Sequence, residues 1–190
     1  LRVHEIGETS TGPFFTMDLH PGQHITALTA QTPEEVARPL VDVTLALDHI
    51  HSRGIVHRDI KPSNILVRTV GTPDGGNRFE AKLMDFGLAR YYQIDSSLSR
   101  EAGFLGTPAY AAPEQIDHRE VDHRADLYAL GLMSYELLSG GRHPFAAARG
   151  GGIVRLLNAQ LNDSPPPLAE VNPLLPAALV QVVSGHLQKD

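Results

Sequence analysis

The stretch His57-Arg58-Asp59-Ile60-Lys61-Pro62-Ser63-Asn64 decides the fold of this 190-residue chain. It places a carboxylate, basic side chains and an amide close together, between the apolar runs 55–56 and 65–67. Because Pro62 lacks a backbone N–H, it is excluded from a helix interior or a central strand. The stretch is therefore predicted to be a loop between two short strands. Such loops are typical places for chemistry, although a solvated polar turn is the plain alternative.

Composition excludes several classes of function. The hydrophobic content of 42% argues against disorder, and the net charge of −6 with no basic face argues against a nucleic-acid partner. With no cysteine, disulfides and thiolate zinc sites are excluded. The sequence shows no signal peptide and no apolar run that could span a bilayer, so we expect no membrane contact from this segment.

Two strands and then a long helix are predicted ahead of the loop. Residues 1–19 alternate apolar and polar side chains around a turn-rich stretch at 8–13, which predicts a hairpin. Thr32-Pro33-Glu34-Glu35 combines a cap, a proline at the first helical position and a capping box. The helix that starts there is predicted to end near Gly54, with one apolar stripe: Val36, Leu40, Val43, Leu47 and Ile50.

The remainder of the chain is predicted to be one hairpin followed by helices. The hairpin covers residues 65–70 and 79–84, and a helix that is apolar nearly all round covers 124–139. Further helices are predicted at 153–161 and 176–187, on either side of the proline-rich stretch 164–176. Asp126 lies inside the apolar helix. As an exposed first-turn carboxylate it would favour the helix dipole, and if buried it would need hydrogen bonds; the two roles are compatible.

Several motifs follow one another in a recognisable order. Asp59 is followed five residues later by Asn64, and Asp85-Phe86-Gly87 begins 21 residues after Asn64. The stretch 106–114, Gly-Thr-Pro-Ala-Tyr-Ala-Ala-Pro-Glu, comes next. In the order and spacing of these motifs the chain resembles the eukaryotic-type serine/threonine protein kinases, and in particular their bacterial members.

This resemblance implies an α+β protein-kinase-like fold, mainly an α-helical large lobe with a truncated remnant of the small-lobe sheet. Residues 1–20 would be the last two strands and the hinge of the small lobe, and 21–190 the large lobe, ending before its last helix. The sequence contains no Gly-rich loop and no strand lysine of the family's phosphate-binding type. We therefore expect the 190-residue chain alone to be inactive and to work as part of a longer kinase.

The resemblance also implies the catalytic residues. Asp59 would take the proton of the substrate hydroxyl, and Lys61 would contact the transferred phosphate. Asn64 and Asp85 would hold Mg²⁺, a hard cation that prefers oxygen ligands. Thr107 would steady Asp59 and Lys61.

ATP is the implied nucleotide cofactor. Met17 stands at the position that flanks the adenine pocket, and Asp18 and His20 belong to the hinge whose backbone would bond the base. Leu66 is the remaining residue that the resemblance assigns to nucleotide binding.

Regulation and scaffolding are implied at further positions. Arg58 precedes Asp59, as in kinases whose activation segment is phosphorylated. Ser99 is the best-aligned candidate hydroxyl, and Glu101 stands where many relatives carry a second phosphorylated residue. The implied structural residues are His57, Phe86, Glu114 and Asp126; Asp126 would accept hydrogen bonds from the loop backbone, and Glu114 would lack its usual arginine partner.

Three classes of function remain open at this point. The first is phosphoryl transfer from ATP to serine or threonine hydroxyls of a protein substrate, in a cytoplasmic domain whose parent chain could be membrane-anchored. The second is a pseudokinase-like interaction module, against which the intact Asp59, Lys61, Asn64 and Asp85 argue. The third is a phosphotransferase of similar fold for a small molecule, against which the 106–114 stretch argues.

Overall fold

The computed structural model describes residues 3–85 and 108–189 of the chain. Strands come first and helices dominate the second half, which confirms the predicted α+β class. The strands are β1 (Val3–Thr9), β2 (Gly12–Met17), β3 (Gln23–His24), β4 (Ile65–Gly71) and β5 (Asn77–Leu83). The helices are α1 (Pro33–His51), α2 (Pro113–Ile116), α3 (Arg124–Leu138), α4 (Ala146–Arg149), α5 (Ile153–Asn162), α6 (Leu168–Val171) and α7 (Ala177–His186).

The first two strands form the predicted antiparallel hairpin. Its register pairs Ile6 with Phe15 and Gly7 with Phe14, and a register irregularity lies between Val3 and Glu5. Ile6 and both phenylalanines are exposed, so this sheet presents apolar side chains on its surface. The assignment of residues 1–20 to a separate small lobe stays a prediction.

Helix α1 begins as its sequence predicts. The Thr32 hydroxyl accepts a hydrogen bond from the Glu35 backbone N–H, and the Glu35 carboxylate accepts one from the Thr32 backbone N–H. All five residues of the predicted apolar stripe are buried. Asp42 accepts a hydrogen bond from the Ala81 backbone N–H at 3.0 Å, so the helix also satisfies a donor of strand β5.

The predicted second hairpin is present and is part of a three-stranded sheet. Strand β4 pairs antiparallel with β5 from Ile65–Leu83 to Gly71–Asn77. The sequence analysis missed β3, which pairs with β4 through Gln23–Val67 and His24–Leu66. A two-residue strand has too few side chains to show an alternation pattern.

The predicted strand at residues 55–56 is wrong. Residues 55–61 form an irregular connection, followed by a 3₁₀ turn at Pro62–Asn64. The Ile55 backbone N–H donates to the Ile50 oxygen of α1 at 3.1 Å, and the N–H groups of His57 and Arg58 donate to a side chain of α3. Arg58 also has a φ of 67°, which is incompatible with an extended strand.

Helix α3 lies at the centre of the helical part, and nearly every residue of it is buried. Helix α7 packs against it at Gly131, where a side-chain Cβ would lie 2.8 Å from the His186 Cβ. The predicted helices at 153–161 and 176–187 correspond to α5 and α7. The short helices α2, α4 and α6 were not predicted, since one turn carries no periodic signal. No helix in the described ranges is both long and apolar enough to cross a membrane.

Candidate functional site

The loop 57–64 brings its charged side chains together. The Lys61 Nζ lies 2.7 Å from the Asp59 Oδ2. The Asn64 Nδ2 donates to the Asp59 backbone oxygen at 2.9 Å and to Oδ2 at 3.1 Å. Asn64 is buried, whereas Asp59 and Lys61 are partly exposed. The Asp59 carboxylate is therefore held in one orientation by a cation and an amide while it stays reachable from outside.

The Asp126 side chain, in α3, binds the backbone of this loop. Its carboxylate is 1% exposed and accepts hydrogen bonds from the backbone N–H groups of His57, at 2.8 Å, and Arg58, at 2.7 Å. The His51 Nε2, at the end of α1, lies 2.8 Å from the Asp126 Oδ2. The contact that the resemblance predicts is thus present; Asp126 lies in the first turn of α3, as the alternative also predicts, but it is buried and not exposed. Three hydrogen bonds compensate the burial of this charge.

His57 joins the loop to the segment that carries Asp85. Its ring is buried, with Nε2 2.9 Å from the Met84 backbone oxygen. The Asn64 backbone oxygen accepts a hydrogen bond from the Met84 N–H at 2.8 Å. Asp85 follows directly, exposed and with a φ of 51°. These contacts place Asp85 beside Asn64, although the two residues are far apart in sequence.

The donor set at Asn64 and Asp85 fits a magnesium ion. Because the Asn64 amide nitrogen donates to Asp59, its carbonyl oxygen is the atom left to meet a cation. Carboxylate and amide oxygens suit Mg²⁺, which commonly takes one or two protein ligands and completes its shell with water and substrate phosphate oxygens. Within 3–85 and 108–189 no cluster of three or more His, Asp or Glu side chains is arranged to hold a metal by itself.

The end of strand β2 carries the residues that the resemblance assigns to the nucleotide. Met17 is half-buried and Asp18 is exposed. The Asp18 Oδ1 lies 2.7 Å from the His4 Nε2, which fixes this end of the hairpin. Leu19 is 91% exposed. The backbone at this turn is therefore accessible.

The chain then runs against strand β4. A Cβ at Gly22 would lie 2.7 Å from the Val67 backbone oxygen, so only glycine allows this approach. His24 pairs with Leu66, whose half-buried side chain lies on the face of β4 opposite Val67. Burial, with Arg68 and Lys82 nearby, lowers the pKa of His20. His20 and Leu66 thus belong to neighbouring parts of one surface.

A second segment, which follows Asp85 in the sequence, also contacts the loop 57–64. Residues 108–112, which we name the docking segment, form a 3₁₀ turn at Pro108–Tyr110 that leads into α2. Gln115 connects the two parts, because it accepts from the Ala112 N–H at 3.1 Å and donates to the Arg58 backbone oxygen at 3.1 Å. The Arg58 side chain is exposed.

Glu114 is half-buried at the start of α2 and lines a cavity of about 300 Å³, which His186 at the end of α7 also lines. No ion pair of Glu114 is found within the described ranges. Burial and the nearby Glu114 carboxylate raise the pKa of Tyr128 well above its usual value. The expectation about a missing arginine partner stays a prediction.

Some predicted residues lie outside the described ranges: Phe86, Ser99, Glu101 and Thr107. The sequence analysis in turn missed His51 and Gln115. No local signal marks His51, because its partner lies 75 residues away. No capping-box signature marks Gln115 either, because the N-cap Ala112 has no side-chain oxygen.

Comparisons with known proteins extend over the whole of this site. A family model described as Protein kinase domain matches residues 1–188. The DNA damage-responsive serine/threonine-protein kinase RqkA of Deinococcus radiodurans is 38% identical over 182 residues, which are 93% of this chain and 25% of the relative. Serine/threonine-protein kinase Pkn1 of Myxococcus xanthus is 38% identical over 190 residues, 98% of this chain and 26% of the relative.

A solved structure is similar as well. The crystal structure of a double mutant of the Mycobacterium tuberculosis PknI kinase domain has a TM-score of 0.64 and 28% sequence identity, and the match covers 100% of this chain and 63% of that one. The present chain therefore spans about a quarter of the length of the curated relatives and about two thirds of the solved domain.

Proposed function

The chain belongs to the protein kinase domain family, and from that premise we propose that it carries the catalytic loop of an enzyme that transfers the γ-phosphoryl group of ATP to serine or threonine hydroxyls of protein substrates. The family match and the likeness to a solved kinase domain confirm the protein-kinase-like fold. The chain is similar to bacterial serine/threonine kinases along nearly its whole length.

One observation carries the proposal: the orientation of the Asp59 carboxylate. Its Oδ2 receives both the Lys61 ammonium, at 2.7 Å, and the Asn64 amide, at 3.1 Å. A carboxylate fixed in this way accepts a proton from a hydroxyl at a defined position, which is what general-base positioning requires. As the hydroxyl oxygen bonds to the γ-phosphorus and the bond to the leaving oxygen breaks, the proton passes to Asp59.

Lys61 has a second task in the proposed reaction. It is cationic and partly exposed beside Asp59, so its ammonium group can stabilise the negative charge of the phosphoryl group during transfer. Asn64 and Asp85 would hold Mg²⁺, which when bound with ATP neutralises charge on the phosphates. We place this chemistry in the cytoplasm, where ATP is supplied.

The test uses the full-length protein that carries these 190 residues. Asp59→Asn removes the proton acceptor at almost constant shape, and Asp85→Ala removes a magnesium ligand. Each is expected to lower phosphoryl transfer by at least about a hundredfold, because positioned acid–base or charged groups typically contribute 10²–10⁴ in rate. The measurement is radiolabel transfer from ATP to dephosphorylated casein, with circular dichroism to show that the fold is kept.

Asp48→Asn is the matched control, since Asp48 is exposed on α1 and lies outside the site. It should leave transfer unchanged. Near-normal transfer by Asp59→Asn or Asp85→Ala would contradict the proposal. ATP binding by the wild type without transfer to any protein of a broad panel would favour the interaction module, and transfer to a small molecule alone would favour the third class.

A further inference from the structure

The backbone oxygen of Ala109, in the docking segment, receives two side-chain hydrogen bonds. The His143 Nε2 lies 2.7 Å from this oxygen, and the Gln160 Nε2 donates to it at 3.0 Å. The same Gln160 nitrogen lies 3.3 Å from the Ala111 oxygen. Two side chains thus hold the backbone of the docking segment at adjacent points.

Both donors are buried and come from different parts of the chain. His143 is 4% exposed and Gln160 is 0% exposed. His143 lies in the connection after α3, and its Nδ1 accepts a hydrogen bond from the Phe145 N–H at 3.2 Å. Since Nδ1 is an acceptor, Nε2 carries the proton and donates to Ala109. The docking segment is therefore bonded to two separate elements, the connection after α3 and helix α5.

Of the two polar atoms of the Gln160 side chain, the nitrogen has hydrogen-bond partners within the described part of the chain. Its Oε1 is buried and has no hydrogen-bond partner within the described part of the chain. A buried acceptor without a partner is destabilising, and a methionine of similar shape would avoid it. Its amide nitrogen, however, supplies the donor that meets the Ala109 and Ala111 oxygens. The feature that distinguishes glutamine from methionine here is this donor.

We propose that His143 and Gln160 are positioning residues that hold the docking segment in the shape that receives the protein substrate. This inference rests on the proposed function and assigns the two residues to substrate binding rather than to phosphoryl transfer. Neither residue contacts Asp59, Lys61 or Asn64 by any hydrogen bond found in the described ranges. Their loss should therefore change the KM for the protein substrate and leave kcat and the KM for ATP nearly unchanged.

Tyr110 provides a structural reason why small displacements matter. It lies between the two bonded carbonyl groups, its ring meets the His143 ring edge-on at 5.8 Å, and its hydroxyl lies 2.5 Å from the Glu136 Oε2. A shift of the Ala109 carbonyl moves this ring and its hydroxyl together. The docking segment is thus coupled to both buried donors.

The first variant is Gln160→Met in the full-length protein. It removes the donor at nearly constant volume and also removes the unpartnered oxygen, so in the melting temperature the second change should offset part of the cost of the first. We expect the KM for dephosphorylated casein to rise about three- to tenfold, the change typical of one lost hydrogen bond, with kcat and the KM for ATP within about twofold. Gln181→Met, at an exposed position of α7, is the matched control and should change none of these constants.

The second variant, His143→Phe, removes the other donor, and the double variant removes both. Because either side chain alone still satisfies the Ala109 oxygen, the double variant should raise the KM by more than the product of the single effects. His143→Gln, which can still donate, should restore most of the affinity lost in His143→Phe. An unchanged KM for casein in the double variant would overturn the proposal. A fall in kcat together with a rise in the KM for ATP, each as large as the change in the KM for casein, would also overturn it.

Amide hydrogen exchange separates this proposal from the proposed function. In the double variant the peptide covering residues 108–116 should exchange at least about fivefold faster, while peptides from the middle of α3 stay unchanged. If the wild type transfers no phosphate to protein, the proposed function fails, and the exchange measurement still decides whether the two residues hold the segment. Unchanged exchange at 108–116 would refute the positioning role even in an active kinase.

Discussion

The substitution Asp126→Asn tests whether one buried carboxylate holds the catalytic loop. In the wild type, Oδ2 accepts from the His57 N–H and lies 2.8 Å from the His51 Nε2, while Oδ1 accepts from the Arg58 N–H. Asparagine keeps the shape but replaces one oxygen by an NH₂ group. His51 can adapt by changing its tautomer, whereas a backbone N–H cannot become an acceptor. One of the two loop N–H groups must therefore face another donor.

The expected loss of stability follows from these contacts. A hydrogen bond to a charged group contributes about 1.5–3 kcal/mol, and a buried donor left without an acceptor adds its own cost. We expect Asp126→Asn to reduce the free energy of unfolding by about 2–4 kcal/mol. For a domain of this size each kcal/mol corresponds to a fall of about 2–4 °C in melting temperature, so the fall should be roughly 4–16 °C.

The effect on catalysis comes from the same two N–H groups. His57 and Arg58 directly precede Asp59, so a displaced loop backbone moves the proposed base. We expect kcat to fall at least about tenfold below the melting temperature, because small misplacements of a catalytic group are costly. Urea denaturation followed by circular dichroism, together with radiolabel transfer at 25 °C, measures both quantities. Asp48→Asn, an exposed carboxylate of α1, is the control.

A particular result would refute this reasoning. If Asp126→Asn changed the unfolding free energy by less than about 0.5 kcal/mol and kept kcat within twofold, the three hydrogen bonds would not hold the loop. A large loss of stability with unchanged kcat below the melting temperature would show that Asp126 stabilises the fold without positioning Asp59.

Three more predictions concern other parts of the chain. Gly131→Ala should destabilise the protein by about 1–3 kcal/mol in urea denaturation, because the new methyl group would lie 2.8 Å from the His186 Cβ. Its control is Gly185→Ala, which should be neutral or stabilising by up to about 1 kcal/mol, because no atom lies within 4 Å of the new Cβ. Burial lowers the pKa of His186, so the unfolded chain binds more protons than the folded chain as the pH drops below the ordinary histidine pKa. The free energy of unfolding should therefore fall between pH 7 and pH 5. It should fall by less in a His186→Gln variant measured in the same buffers. From the resemblance we infer that a carboxylate at Glu101 would partly replace phosphate in pairing with Arg58, so phosphatase-treated protein should keep basal transfer and Glu101→Ala should lose most of it; silence of the phosphatase-treated wild type would contradict this.

Local patterns predicted the regular elements of the fold well. The capping box at Thr32 and the apolar stripe of α1 depend only on residues within one or a few turns, so the sequence shows them directly. The same holds for the hairpin at β4 and β5, whose turn is rich in Gly, Pro and Asn. The order of the motifs around Asp59 and Asp85 was sufficient to indicate the family.

The sequence by itself therefore determined where α1 begins, which of its faces is buried and which residue types the candidate site contains. The tertiary structure alone decided where the loop backbone bonds, because the N–H groups of His57 and Arg58 find Asp126, 69 and 68 residues away, in place of a strand partner. It also decided that His143 and Gln160, 34 and 51 residues from Ala109, meet at one carbonyl oxygen. Capping and periodicity depend on neighbours along the chain, whereas a buried polar atom takes whichever partner the folded path brings within about 3 Å.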